Sequence, residues 1–93
     1  ADYYSSIITH TKKPIIFSEL GWPAGAVATG WDSTPELQAQ FVDVFTSQVS
    51  SLEPKVVIWS FLYDPKTVVP FNSMGLINVD GTDRPAWKGF LEF

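Results

Sequence analysis

The alternation of apolar and polar positions along the chain predicts helices and strands in the order helix, strand, helix, strand, helix. The opening helix is predicted over residues 2–9, and the closing helix begins at Pro85. Each predicted strand, at residues 15–19 and 56–61, is a short continuous apolar run. Such runs are typical of parallel strands that are covered on both faces.

The segment between the two strands carries the clearest helical pattern. Ser33-Thr34-Pro35-Glu36 begins it, either as a capping box from Ser33 or with Thr34 as the cap and Pro35 at the first helical position. Apolar residues at three- and four-residue spacing predict the buried side, which consists of Leu37, Phe41, Val44, Phe45, Val49 and Leu52. Polar residues off this stripe, among them Gln38 and Gln40, are predicted to face water.

Two strands joined through a helix are expected to be parallel, with a right-handed crossover, so the fold class is α/β. The connection into the second strand is short, whereas long segments follow both strands, at residues 20–33 and 62–83. Long connections at the carboxyl ends of parallel strands are where such folds place their sites. Two strands do not complete a parallel sheet, so further strands are expected from a longer chain or from self-association.

Composition narrows the classes of partner. Six basic residues against ten acidic ones give a net charge of −4 without a Lys/Arg cluster, so no nucleic acid partner is expected. The chain has no cysteine, and its apolar stretches are shorter than the roughly 18 residues that a membrane span needs. No membrane partner, metal or cofactor is predicted, and His10 is interpreted as a surface residue at a helix end.

Glu19 is the residue most suited to chemistry, because it ends the first predicted strand. Period-two alternation places it on one face with Ile15 and Phe17. A rigidly held carboxylate there could attack an anomeric carbon, although position alone favours a capped or salt-bridged Glu at a loop entrance. Trp59, taken alone, is more often a core residue than a sugar platform.

The residues around Glu19 carry a family resemblance. The Lys13-Pro14 start, the apolar run after it and the Glu19-Leu20-Gly21-Trp22-Pro23 sequence resemble the seventh strand of the retaining (β/α)8 glycosidases. The run Val57-Ile58-Trp59-Ser60-Phe61 is similar to their eighth strand. The ending, with Gly75-Leu76, Asp80-Gly81 and a helix that starts at Pro85, also resembles the close of that fold.

The resemblance implies a partial (β/α)8 TIM barrel in which residues 1–93 form a single C-terminal fragment. It implies a carbohydrate substrate, retaining double displacement, Glu19 as the nucleophile, and Trp59 and Trp22 as substrate-binding residues. The acid/base Glu of the family lies on an earlier strand, so the chain alone is expected not to hydrolyse glycosides. The alternative is a non-catalytic carbohydrate-binding or self-associating barrel module. A nucleotide-binding βαβ piece is disfavoured, because the glycines do not form a phosphate-binding fingerprint.

Overall fold

A computed structural model describes residues 4–28 and 30–93 and shows a mixed α/β fold. The helices are α1 (Ile7–His10), α2 (Pro35–Val49) and α3 (Pro85–Leu91), with single 3-10 turns at Ser50–Leu52 and Phe71–Ser73. The strands are β1 (Ile16–Leu20), β2 (Ala26–Ala28), β3 (Trp31–Asp32) and β4 (Val56–Trp59). The predicted order of helix, strand, helix, strand, helix is confirmed, with β2 and β3 as additions.

The main sheet consists of β1 and β4, which are parallel as predicted and are joined through α2. The register pairs Ile16 with Val56, Phe17 with Val57 and Leu20 with Trp59, and it shifts between Phe17 and Leu20. The smaller sheet pairs β2 with β3 in antiparallel fashion, within the long connection between β1 and α2.

The helix boundaries follow local chemistry. Thr34 is the N-cap of α2, and its hydroxyl accepts a hydrogen bond of 3.1 Å from the Leu37 amide. Pro35 occupies the first turn, where its missing N–H costs nothing. The second of the two predicted starts is therefore the observed one. The opening helix, predicted over residues 2–9, is shorter: α1 covers Ile7–His10, and residues 1–3 lie outside the described part of the chain.

The buried side of α2 differs from the predicted stripe. Gln38, Val42, Phe45 and Val49 are its buried residues, whereas Leu37 and Val44 are exposed. The prediction that Gln38 faces water is wrong: its side chain is fully buried, and its amide donates to the carbonyls of Trp22 and Gly75. The hydrogen bonds of its amide nitrogen thus offset part of the cost of burying this polar group.

The sheet is covered on one face. Phe17 and Val57 pack against the cluster of Phe45, Val49 and Leu52, and Phe17 meets Phe45 edge-to-face at 5.2 Å between ring centroids. A second cluster joins Val42 of α2 and Ala86 of α3 with Trp59 and Leu76. The prediction that both strands are buried on both faces is wrong for this chain, because Ile16 and Ile58 are 58% and 47% exposed. Their side chains occupy the face that no helix covers.

The helices of residues 4–28 and 30–93 are all too short and too polar to cross a membrane.

Candidate functional site

An open depression of about 580 Å³ lies at the carboxyl ends of β1 and β4. Its lining combines one carboxylate, two hydroxyls and several apolar side chains: Ser18, Glu19, Leu20, Gly21, Ile58, Ser60, Phe61, Phe71 and Met74. Glu19 is exposed there. A larger groove of about 820 Å³ runs along α2, α3 and the start of β4. Parallel folds place their chemistry at the carboxyl ends of strands, so the depression at Glu19 is the candidate site.

The irregularity in β1 decides where Glu19 lies. Phe17 and Leu20 both pack on the core beneath the sheet, although strict alternation would put residues three apart on opposite faces. The register shift between them resolves the conflict, as a bulge does. Ser18 and Glu19 therefore both border the depression. The prediction that Glu19 shares a face with Ile15 and Phe17 is wrong, because those two pack against the helix side.

Trp59 lies beneath the sheet and does not line the depression. Its side chain packs with Val42, Leu76 and Ala86, and the residue is only 8% exposed. The indole Nε1 donates a hydrogen bond of 2.7 Å to the Met74 carbonyl. The structure therefore does not bring Trp59 together with Glu19, and the predicted sugar-facing ring is replaced by a buried one that supports the rim.

Trp22 is also outside the depression. Its ring stacks on Phe41 at 4.7 Å between centroids, and its Nε1 donates to the Ser33 hydroxyl at 3.2 Å. With Trp31 it borders a shallow groove of about 300 Å³ against α2. Among the predicted site residues, Glu19 is thus the one that lies in the depression.

The rim formed by residues 71–75 is held by hydrogen bonds at each of its last three carbonyls. The Ser73 carbonyl accepts from the Ala24 amide at 2.8 Å, and the Met74 carbonyl accepts from Trp59. The Gly75 carbonyl accepts from Gln38 at 3.1 Å and from Arg84 at 2.7 Å. Both long connections therefore meet at this rim, and the core side chains fix its position.

The side chain of Arg84 holds the connection that follows β4 in place through several hydrogen bonds. Its guanidinium grips the Asp64 carboxylate with two hydrogen bonds of 2.8 and 2.6 Å, and it also reaches the Ser73 carbonyl at 3.1 Å. The Asp64 carboxylate also accepts a hydrogen bond of 2.9 Å from the Gly75 amide. Asp64 thus ties the beginning of this connection to Gly75 and Arg84.

Two glycines allow the close contacts at this rim. A Cβ at Gly75 would lie 2.6 Å from the Asp64 nitrogen and the Tyr63 carbonyl carbon, which is closer than backbone atoms tolerate. A Cβ at Gly21 would lie 3.3 Å from the Met74 sulfur. Glycine at position 75 therefore lets two parts of the connection after β4 approach each other, and glycine at position 21 leaves room for the Met74 side chain.

Sequence reasoning missed Phe71, Met74, Gln38 and Arg84. No period links Arg84 to Asp64, because the two are twenty positions apart within irregular chain. Among residues 4–28 and 30–93, no group of three or more His, Cys, Asp or Glu is arranged to hold a metal ion.

Comparison with protein-family models gave no match, and comparisons with curated proteins and with solved structures gave no significant match. The geometry of the depression and the sequence around Glu19 are therefore what distinguish one function from another.

Proposed function

We propose that this chain is part of a retaining glycoside hydrolase of the (β/α)8 type, in which Glu19 is the nucleophile. The observation that carries the proposal is the position of Glu19, an exposed carboxylate at the carboxyl end of a parallel strand and in an open depression. The sequence around it resembles the nucleophile strand of those enzymes. A carboxylate in such a place can attack an anomeric carbon and form a glycosyl ester.

The uncovered face of the sheet supports the barrel part of the proposal. In a (β/α)8 barrel one face of each strand meets helices and the other meets the packed barrel interior. β1 and β4 have helices on one face, while Ile16, Val56 and Ile58 are exposed. Neighbouring strands of a closed barrel would cover these apolar side chains and pair the two free edges of the sheet.

Retaining hydrolysis also needs an acid/base carboxyl about 5 to 5.5 Å from the nucleophile. Glu19 is the only carboxyl among the described residues that line the depression, and Asp64 is held by Arg84. The proton for the leaving oxygen must therefore come from another strand. Aryl glycosides with poor leaving groups should not be turned over by this chain, and turnover that disappears in Glu19→Gln would contradict this expectation.

A glycosyl donor that needs no proton tests the nucleophile directly. In 2-deoxy-2-fluoroglycosyl fluorides the Glu19 carboxylate would displace the anomeric fluoride. One bond from a carboxylate oxygen to C1 forms as the C1–F bond breaks, and the fluorine on C2 remains. Intact mass should rise by one fluorosugar, and peptide mapping should locate the ester on Glu19. Glu19→Gln should abolish labelling, whereas Glu36→Gln, which changes an exposed carboxylate on α2, should leave it unchanged.

An ester on a residue other than Glu19, or equal labelling of Glu19→Gln, would overturn the assignment of the nucleophile. Complete lack of labelling at saturating fluorosugar would overturn it as well.

The second candidate function is a non-catalytic module that binds carbohydrate or associates with its own copies. The exposed apolar side chains of Ile16 and Ile58 favour association, because a bare sheet face is costly in water. Sedimentation equilibrium separates the two candidates when it is combined with fluorosugar labelling. A self-completed assembly that never forms the Glu19 ester would favour the module.

A further inference from the structure

The aromatic residues that line the depression do not include the tryptophan expected from the sequence. Phe61 and Phe71 both line it, and Phe71 is 47% exposed. Trp59 is excluded, because its ring is buried in the core and its Nε1 is committed to the Met74 carbonyl. An exposed ring that lines the same depression as a carboxylate offers a flat apolar surface to the C–H face of a pyranose.

The polar groups of the depression carry one kind of charge. Among residues 4–28 and 30–93, those that line it supply the Glu19 carboxylate and the hydroxyls of Ser18 and Ser60, and no lysine or arginine. A uronate or a sulfated sugar would bring a second negative charge next to Glu19 without a cation to compensate it. The lining therefore favours a sugar without charge.

The position of Phe71 is fixed before any ligand arrives. Phe71 begins the 3-10 turn Phe71–Ser73, and its carbonyl accepts from the Met74 amide at 3.3 Å. The next carbonyls along the rim are bonded to Ala24, Trp59 and Arg84. The backbone that carries the ring therefore loses little freedom on binding, which favours affinity.

We propose that Phe71 is the sugar-facing aromatic residue of this depression, and that the substrate is an uncharged hexopyranoside. The inference rests on the proposed function in using the same depression. It adds the substrate class and the residue that selects it.

The chain contains a single methionine, Met74, and it lines the depression. A ¹³C label in its methyl group gives one NMR signal that reports binding at this place alone. The probes are the methyl glycosides of glucose, galactose and mannose, with methyl glucuronide as the charged counterpart. At least one neutral glycoside should move the signal saturably, and the glucuronide should bind at least about threefold more weakly than the glucoside.

Phe71→Ala should weaken binding of the neutral glycoside by about threefold or more, which is the usual contribution of an aromatic contact. Phe71→Tyr keeps the ring and should restore affinity. Phe93→Ala is the matched control, because Phe93 is also 47% exposed but borders the larger groove. The indole N–H signals of the four tryptophans should keep their positions in each variant, which verifies the fold.

Equal affinity of Phe71→Ala and the unaltered chain would overturn the inference, as would glucuronide binding equal to that of glucoside. A Met74 signal that no neutral glycoside moves would overturn it too. Failure of the proposed function is a separate result: sugar binding that depends on Phe71, together with no ester on Glu19, would remove the nucleophile and leave the inference intact. Labelling of Glu19 at the same rate in Phe71→Ala as in the unaltered chain would overturn the inference about Phe71 and leave Glu19 as the nucleophile.

Discussion

The guanidinium of Arg84 uses its donors on four different groups, of which Asp64 is the only charged one. Two hydrogen bonds go to that carboxylate, and others reach the Asn78 side chain at 2.9 Å and the Ser73 and Gly75 carbonyls. The side chains of Arg84 and Asp64 are 9% and 16% exposed. Bidentate pairs of this kind are the strong ones among charged hydrogen bonds.

Replacing Arg84 by methionine should lower the free energy of unfolding by about 3–5 kcal/mol, because it leaves the Asp64 carboxylate largely buried and unpaired. Urea denaturation followed by tryptophan fluorescence measures the loss. Lys88→Met is the control: its pair with Glu92 is exposed at 4.0 Å, and its loss should cost less than about 0.5 kcal/mol. Equal effects of the two variants would show that the Arg84 pair contributes little.

Gln38 allows a second test at the scale of one residue. Gln38→Glu should destabilise the fold at neutral pH, because a carboxylate cannot donate to the Trp22 and Gly75 carbonyls and burial disfavours its charge. Burial raises the pKa of such a carboxyl above its unfolded value of about 4.3. The stability deficit should therefore be smallest below that pH and should grow as pH rises through it.

Urea denaturation at pH 4 and pH 7 checks this sign. Gln40→Glu is the control, since Gln40 is exposed on the same helix and its replacement should change stability little at either pH. A deficit for Gln38→Glu that does not depend on pH would contradict the buried-carboxylate explanation.

Gln38 also shows what a polarity pattern could not predict. The spacing of apolar residues correctly predicted α2 and the burial of Phe45 and Val49, because core contacts follow helical periodicity. A pattern assigns every glutamine to water, whereas burial of this one depends on two carbonyls from distant connections. Its Oε1 has no hydrogen-bond partner among the described residues, although the atom is buried.

At the scale of elements, the turn before α3 contains an acid group, Asp80, whose pKa is lowered by two hydrogen bonds. The hydroxyl and the amide of Thr82 both donate to the Asp80 carboxylate, at 2.5 and 2.9 Å. These hydrogen bonds hold the pKa of Asp80 below its ordinary 3.8, and the bond from the hydroxyl has the larger effect. The folded state stabilises the ionised form of Asp80. Its contribution to the free energy of unfolding is therefore fully present above the unfolded pKa and is lost as pH falls through the folded pKa.

An NMR titration of the Asp80 carboxyl carbon should therefore give a pKa below 3.8. Thr82→Val removes the hydroxyl and keeps the amide, so the pKa should move back toward the ordinary value without reaching it. Thr67→Val, in the connection after β4, should leave the Asp80 titration unchanged. An unaltered pKa in Thr82→Val would contradict the assigned cause.

The elements of the main sheet were predictable because each is signalled locally. The apolar runs of β1 and β4 and the Thr34-Pro35 start of α2 act through neighbours in the chain. The β2–β3 ribbon was not predictable, since its strands are three and two residues long and carry no period. The shift in β1 was hidden for a similar reason: only packing of both Phe17 and Leu20 on the core reveals it.

At the scale of the whole molecule, the uncovered sheet face is the largest departure from a self-sufficient fold. Ile16, Val56 and Ile58 are 58%, 42% and 47% exposed on two adjacent strands. A purely parallel sheet normally has both faces covered. The proposed barrel accounts for this face through strands that belong to a longer chain or to another copy.

Ile58→Lys should reduce association of the free chain, because a charge on this face opposes its burial. Sedimentation equilibrium over a concentration series should show an average mass that rises with concentration in the unaltered chain and rises less in the variant. Val79→Lys is the control, since Val79 is 88% exposed and lies outside the sheet. A mass equal to one chain at every concentration would contradict association through this face.

The hydrogen bonds that hold the rim determine where the connection after β4 tolerates an insertion. Asp64 is anchored near the beginning of this connection through Arg84, and Ser73 and Gly75 are anchored near its middle. Lys66, Thr67 and Val68, which lie between these anchors, are exposed. Loop closure costs little for added length when both ends are already tied. Residues 66–68 are therefore the place where a foreign peptide could be spliced in while Phe71 and Met74 stay beside Glu19. The same tolerance makes this tip a natural point at which related chains could diverge in length.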